Sequence, residues 1–253
     1  MTEMTSLVIV TATVAAFLVG LSKGGLASVG MLAVPLMALV MSPVTAAALL
    51  LPIYVISDMV GLYLYRGDFS GRNLAILMPA AVFGVCLGWA FSAHLPSLFI
   101  GMLVGLVGLL GCFNAWVGAR FRKTVRRADV PAGLFWGTLA GLTSFVSHSG
   151  APPFQIYVLP QRLDKVTFAG TSTILFAAIN AAKIAPYWEL RLFSRFDATV
   201  ALWLLPSAIA GTFAGAKLTR VIPEKLFYLV IQIALLVLSL KLIADYVVTL
   251  FPT

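Results

Sequence analysis

Lys23 and His148 are the residues in this chain whose chemistry is hardest to explain as packing. Each sits in a short polar interruption of a long apolar stretch: Ser22-Lys23-Gly24-Gly25 in the first, and Ser147-His148-Ser149-Gly150, with Pro152-Pro153 just behind, in the second. A charge at membrane depth costs roughly 3 kcal/mol on insertion scales unless it faces water, a partner or a ligand. An interrupted helix also frees backbone N–H groups whose dipoles attract anions, and glycine lets a ligand approach them closely. The expected substrate-binding set is therefore Ser22, Lys23, Gly24, Gly25, Ser28, Ser147, His148, Ser149 and Gly150. In it Lys23 and His148 supply positive charge or donors, amides at Gly24, Gly25, Ser149 and Gly150 face the anion, and the hydroxyls of Ser22, Ser28 and Ser147 complete the shell. The plainer alternatives are a Lys23 that snorkels from a hairpin tip to the interface and a His148 that is a neutral, hydrogen-bonded packing residue.

Further polar residues lie within apolar runs rather than at their ends: Ser57 and Asp58 in one, Asn180 and Lys183 in another. Asp58, Asn180 and Lys183 are expected to serve coupling or charge pairing, with Asp58 pairing Lys23 or Lys183, or carrying a proton. His148, whose unperturbed pKa is near neutral, is the second proton candidate. A purely structural salt bridge at Asp58 is the competing reading. Thr171, Ser172 and Thr173 could bind a ligand oxygen, but hydroxyls of this kind more often glue helices together. Catalysis is not expected: adjacent Ser147 and His148 on one helix do not face each other, and the other histidine, His94, falls in a distant loop. Cys86 and Cys112 sit in apolar runs without metal-type spacing, so neither a metal nor a cofactor is implied.

These residues are set in a chain that is 61% hydrophobic and 10% charged, with a mean hydropathy of +1.03. Such values belong to a bilayer protein. Continuous apolar runs at 44–65, 73–93, 96–119, 166–188, 197–220 and 223–250 are each long enough to span as a helix, and the absence of alternation argues against a barrel. The two interrupted stretches, 4–41 and 129–161, are too long for one span and read as bent helices or as hairpins. Basic residues choose the hairpins. With Arg120 to Arg127 in the cytoplasm, hairpins put Arg66, Arg72, Arg162, Lys165, Lys217, Arg220 and Lys225 on that side, and leave His94, Pro96, Arg191, Arg195, the Ser42-Pro43 turn and both termini outside. About half of the net charge of +8 is explained by that one loop, so no nucleic-acid partner is needed. Met1-Thr2-Glu3 offers no basic start for a cleaved leader.

The chain also reads as one unit written twice. Pro79, Gly84, Gly88 and Pro96 recur with unchanged spacing as Pro206, Gly211, Gly215 and Pro223, and Gly20-Leu21-Ser22 with Ser28 returns as Gly141-Leu142-Thr143 with Ser149. The expected fold is an all-α polytopic membrane protein of two inverted repeats, 1–125 and 126–253, forming one membrane domain. Each repeat is a broken helix or hairpin followed by three transmembrane helices. Inverted repeats are the usual frame for alternating access, which makes a carrier the expected function and an anion channel the alternative. Glycine faces such as Gly101, Gly105 and Gly108 permit close contact within the chain or in a homodimer.

In Gly20-Leu21-Ser22-Lys23-Gly24-Gly25 leading to Gly30 and Pro35, in Pro43 before an Ala-rich helix, and in the second opening at Gly141-Leu142-Thr143, nearly the whole chain resembles the sulfite exporter TauE/SafE family of membrane transporters. The resemblance implies a carrier of sulfur-containing anions such as sulfite, sulfonates and sulfoacetate in a bacterial cytoplasmic membrane, with export or proton- or sodium-coupled uptake both open. The second break is less glycine-rich than in many relatives, which bears on the choice of substrate.

Overall fold

The computed structural model describes residues 6–41, 43–91, 126–191 and 198–250, with separate helical positions at 102, 105–106, 108–109 and 112–113. Helices and their connecting turns account for all of these, and no strand occurs among the described residues. The protein is an all-α polytopic membrane protein, with six described helices long and apolar enough to cross a bilayer. Ser42, the loop of His94 and Pro96, Gly101, most of the run 96–119, the basic residues 120–125 and Arg195 lie outside the described residues, as does the side chain of Ser147. Contacts gather the rest into two compact units, Met1–Phe69 with Ala169–Ile222 and Ser70–Phe168 with Pro223–Thr253. Each unit draws on both sequence halves, so the halves are not themselves the compact bodies.

In the first unit α1 (Ser6–Lys23) ends at a turn and the chain doubles back through a 3-10 segment, Ala27–Leu32, and a short α2 (Ala33–Met37) before α3 (Pro43–Leu64). The first interrupted stretch is thus a hairpin with a long and a short arm. Gly25 makes the turn with φ +114, a conformation that side chains rarely adopt. Alanines 12, 15, 16, 33 and 46 with Val19, Met37, Leu50 and Ile53 form the apolar core that closes the hairpin on α3. The unit is completed by α7 (Lys165–Glu189), most of which belongs to it, and α8 (Ala198–Val221). Helices α1 and α8 run parallel, since Ser207 Oγ donates to the Thr13 carbonyl at one end (2.9 Å) and Thr219 Oγ1 to the Gly24 carbonyl at the other (3.1 Å). Between these bonds the backbones nearly touch: a Cβ built on Gly20 would stand 1.9 Å from the Ala208 oxygen, and one on Gly211 would stand 2.3 Å from the Phe17 oxygen.

In the second unit α4 (Gly71–Ala90) packs parallel to α5 (Val130–Ser147). Here a Cβ on Gly141 would stand 1.9 Å from the Ala81 oxygen, and one on Gly84 2.0 Å from the Thr138 oxygen. These are the repeat counterparts of the contacts between α1 and α8. Asp129 caps α5 through Ala132 N (3.0 Å), with proline in the first turn as its missing N–H allows. The chain then turns at His148 and returns as α6 (Ala151–Val158) and a 3-10 turn, Leu159–Gln161. Arg126 N donates to the Pro160 carbonyl (3.2 Å) and Tyr157 OH to the Asp129 carbonyl (2.9 Å), so this stretch also closes as a hairpin. Asn73 and Gln161 exchange amide bonds of 2.9 and 3.1 Å beside the same end. Tyr228 of α9 (Glu224–Leu250) donates to the Leu163 carbonyl there.

Basic residues collect at one end within each unit. Arg220 donates to the Leu64 carbonyl (3.2 Å) and faces Asp68 (3.6 Å), while Arg72 donates to the Ala128 carbonyl (3.1 Å). Asp164 starts α7, its carboxylate accepting from Val166 N (3.1 Å) and Thr167 N (2.9 Å). Partial burial works to raise this carboxyl, but the bonds from the Thr167 hydroxyl and the two amides outweigh it and hold it below the usual carboxylate value. Because the folded-state pKa is depressed, its contribution is complete above the ordinary Asp pKa and fades as the pH falls through the folded value. Asp164→Ala should lower stability by about 1 kcal/mol at neutral pH, read as a lower Tm in detergent, and the gap from wild type should close in acid.

Candidate functional site

The polar residues of the first unit converge on one buried network. On α3, Tyr54, Asp58 and Gly61, with Tyr65 in the turn just past its end, recur every three or four residues and so share a face; on α7, Thr173, Phe176, Asn180, Lys183 and Tyr187 do the same. Lys23, in the last turn of α1, reaches Asp58 Oδ1 at 2.7 Å, and Asn180 Nδ2 donates to Asp58 Oδ2 at 2.8 Å. The lysine ammonium also lies 5.0 Å from the Tyr54 ring centroid and 5.9 Å from that of Phe176. Lys23 is 3% exposed and Asp58 1%. The snorkelling alternative for Lys23 is thereby excluded: its charge turns inward to a carboxylate instead of outward to the interface. Its position at the carbonyl end of α1 also suits a cation.

Lys183 stands one turn beyond Asn180 and is 0% exposed. Its Nζ has no hydrogen-bond partner, and neither has the buried Ser57 Oγ. Asp58 therefore pairs with Lys23 and Asn180, whereas Lys183 shares the electrostatic surroundings of Lys23 and Asp58 without a bond of its own. A buried ammonium that has lost water and gained no partner is costly. Helix gluing accounts for part of the hydroxyl cluster, since Thr173 Oγ1 donates to the Lys23 carbonyl (3.1 Å) and Ser172 Oγ to Ala169 in its own helix (2.8 Å).

The first hairpin tip is held down by side chains that the sequence reading did not single out. Tyr65 OH (2.6 Å) and Thr219 Oγ1 (3.1 Å) both donate to the Gly24 carbonyl. Tyr54 OH donates to the Gly30 carbonyl (2.7 Å), and a Cβ on Gly25 would meet Ala169, Thr219 and Tyr65 within 2.8 Å. The four- and seven-residue spacing of Tyr54, Asp58 and Tyr65 was the signal available for the tyrosines.

Three of the four amides expected to face the anion, those of Gly24, Gly25 and Ser149, are bonded locally. Gly24 N donates to Gly20 O (2.9 Å), Gly25 N to Ser22 O (3.3 Å) and Ser149 N to Thr143 O (3.3 Å), so these donors are used within their own turns. Ser22 Oγ likewise donates to Val19 O (2.6 Å). After each break the chain resumes with a helix poorly suited to anions. The first resumes as a 3-10 turn without a side-chain cap, and the second carries Pro152 and Pro153 in its first turn, where proline has no N–H to offer. His148 caps α5 in the left-handed conformation, φ 54, and Thr143 Oγ1 donates to the Ser149 carbonyl (3.1 Å). His148, Ser149 and Gly150 belong to the second unit, whereas Ser22 to Ser28, Asp58, Asn180 and Lys183 belong to the first.

No curated protein and no solved structure matches this sequence. A family model described as sulfite exporter TauE/SafE matches residues 12–242. That span takes in both hairpins, all six candidate spanning helices in whole or large part, and every member of the buried network, and the chain belongs to the sulfite exporter TauE/SafE family of membrane transporters.

Proposed function

We propose that this protein is a secondary carrier that moves a small sulfur-containing anion, sulfite or an organosulfonate, across a cytoplasmic membrane by alternating access. The observation that carries the reading is Lys183, a fully enclosed side-chain amine without a hydrogen-bond partner, next to a Lys23–Asp58–Asn180 network whose members pair with one another. An anion arriving at Lys183 would supply the charge-assisted bond that the protein withholds. In this reading Lys23 holds Asp58 and sets the local charge, and Lys183 meets the ligand.

Enclosure favours a carrier over an open pore, because Lys183 is shut off from solvent and the hairpin tip is tied down by Tyr65 and Thr219. Release of these bonds would open the site toward the end where Arg66, Lys217 and Arg220 gather. By the basic-residue rule that end is cytoplasmic. Duplication supplies the second state: the α1/α8 and α4/α5 approaches repeat at counterpart residues, as inverted repeats would require. Export is the favoured direction, since an anion leaving a negative cytoplasm gains about 2.3 kcal/mol per charge per 100 mV.

Flux into liposomes tests this reading. Purified protein should show saturable counterflow of labelled sulfite or isethionate. Lys183→Met should lower it at least about tenfold through loss of a charged hydrogen bond, and Lys217→Met on the exposed face of α8 should leave it intact. Equal effects of the two substitutions would remove Lys183 from the site, and single-channel conductance would replace the carrier by a pore.

A further inference from the structure

We infer that the buried network selects its ligand by charge and accepts a monovalent oxyanion in preference to a divalent one of the same shape. The inference rests on the carrier reading above and narrows its substrate class. Among the described residues the buried charged side chains are Lys23, Asp58 and Lys183. All three lie in the first unit, contributed by α1, α3 and α7. The fourth long helix of that unit, α8, brings only the hydroxyls of Thr212 and Thr219 to the buried set. The phenols facing the network are Tyr54, which donates to Gly30, and Tyr187. Asp68 and Arg220 pair with each other at the exposed end, and Glu189 and Arg191 are exposed at the other.

Two lysines against one carboxylate give the buried set a surplus of at most one positive charge. Lys23 and Asp58 pair at 2.7 Å, so the surplus is the charge that Lys183 carries when a bound anion holds it protonated. A single negative charge brings the buried set to neutrality. A divalent anion overshoots and leaves a net negative charge in the same low-dielectric surroundings, at a cost that only a further cation could offset. The unpartnered Ser57 Oγ adds a neutral donor without altering this balance. Charge balance, rather than any one contact, therefore sets the preference.

The test uses the full-length protein in detergent and two pairs of matched anions: methanesulfonate against sulfate, and isethionate against sulfoacetate. Affinity is read from the ligand-dependent rise in Tm. Wild type should bind the monovalent member of each pair at least about tenfold more tightly, as expected for a misplaced buried charge. Lys183→Met and Lys23→Met each bring the network to zero and should both lose the response. The decisive variant is Lys23→Met/Asp58→Asn, which removes a cation and an anion together and returns the surplus to one; its response to methanesulfonate and isethionate should come back. If the double variant stays as silent as Lys23→Met, Lys23 is a ligand contact and the charge-balance inference falls while the carrier stands. Equal or tighter binding of sulfate and sulfoacetate by wild type also overturns it. No response of wild type to any of the four, together with absent flux, would sink the carrier reading itself.

Discussion

Asp58→Ala should leave little folded protein to assay. The Asp58 carboxylate is held between Lys23 at 2.7 Å and Asn180 at 2.8 Å, and the buried Lys183 draws on the same negative charge. Removing it leaves the buried Lys23 without its counter-ion and takes from Lys183 the one negative charge beside it. Breaking one partner of a buried pair typically costs about 3–5 kcal/mol, against a total stability on the order of 5–15 kcal/mol for folded proteins. Yield of monodisperse protein after extraction should collapse, and whatever survives should melt far below wild type. Lys23→Met/Asp58→Asn should recover most of the loss, because its residual charge matches that of wild type. Lys183→Met should go the other way and raise the Tm of the ligand-free protein, since an apolar side chain of similar length replaces a buried amine that has no hydrogen-bond partner. A Tm for Asp58→Ala close to wild type would mean that the pair contributes little and that the site is wetter than its burial implies.

Much of this network was legible in the sequence because ionisable residues in the middle of apolar helices are expensive enough to need a reason. Lys23, Asp58, Asn180 and Lys183 stand out on that ground alone, and their convergence in one unit is what the structure adds. The hairpins were legible through charge, since only doubling back places Arg162 and Lys165 on the side of Arg126 and Arg127. Amide direction was not. Whether Gly24 N and Gly25 N point at a ligand or back into their own turn depends on dihedral angles that neighbouring contacts decide, and at this turn Tyr65 and Thr219 take the Gly24 carbonyl. Tyr54 and Tyr65 were missed because tyrosine in a membrane helix usually marks an interface, and only their register with Asp58 separates them from that background. The way the two halves exchange partners was hidden for a different reason: residue spacing shows that a segment recurs, but not that α1 packs on α8 and α4 on α5.

That exchange makes the second large prediction. Gly20→Ala and Gly141→Ala should each disrupt the protein, and to a similar degree. On helix propensity alone either change should stabilise by roughly 1 kcal/mol, so the expected sign is set by packing. The added methyl carbon would stand 1.9 Å from the Ala208 carbonyl oxygen in one case and 1.9 Å from that of Ala81 in the other. Neither obstacle is a side chain that can swing away; each is the backbone of a parallel helix. Relief requires the pair to separate by more than an ångström along its length, which loses the close small-residue packing that holds membrane helices together where lipid provides no hydrophobic drive. Overpacking of this kind costs about 1–3 kcal/mol even where side chains can adjust, and the rigid case should exceed the upper figure. Gly67→Ala, where nothing lies within 4 Å of the new methyl, should be nearly silent. Tm and extraction yield of the three variants decide the matter. Similar large losses at 20 and 141 would show that the two crossings are one solution used twice; a large loss at one with tolerance at the other would mean that the halves have diverged in what holds them, and would leave the duplication a feature of sequence without mechanical consequence.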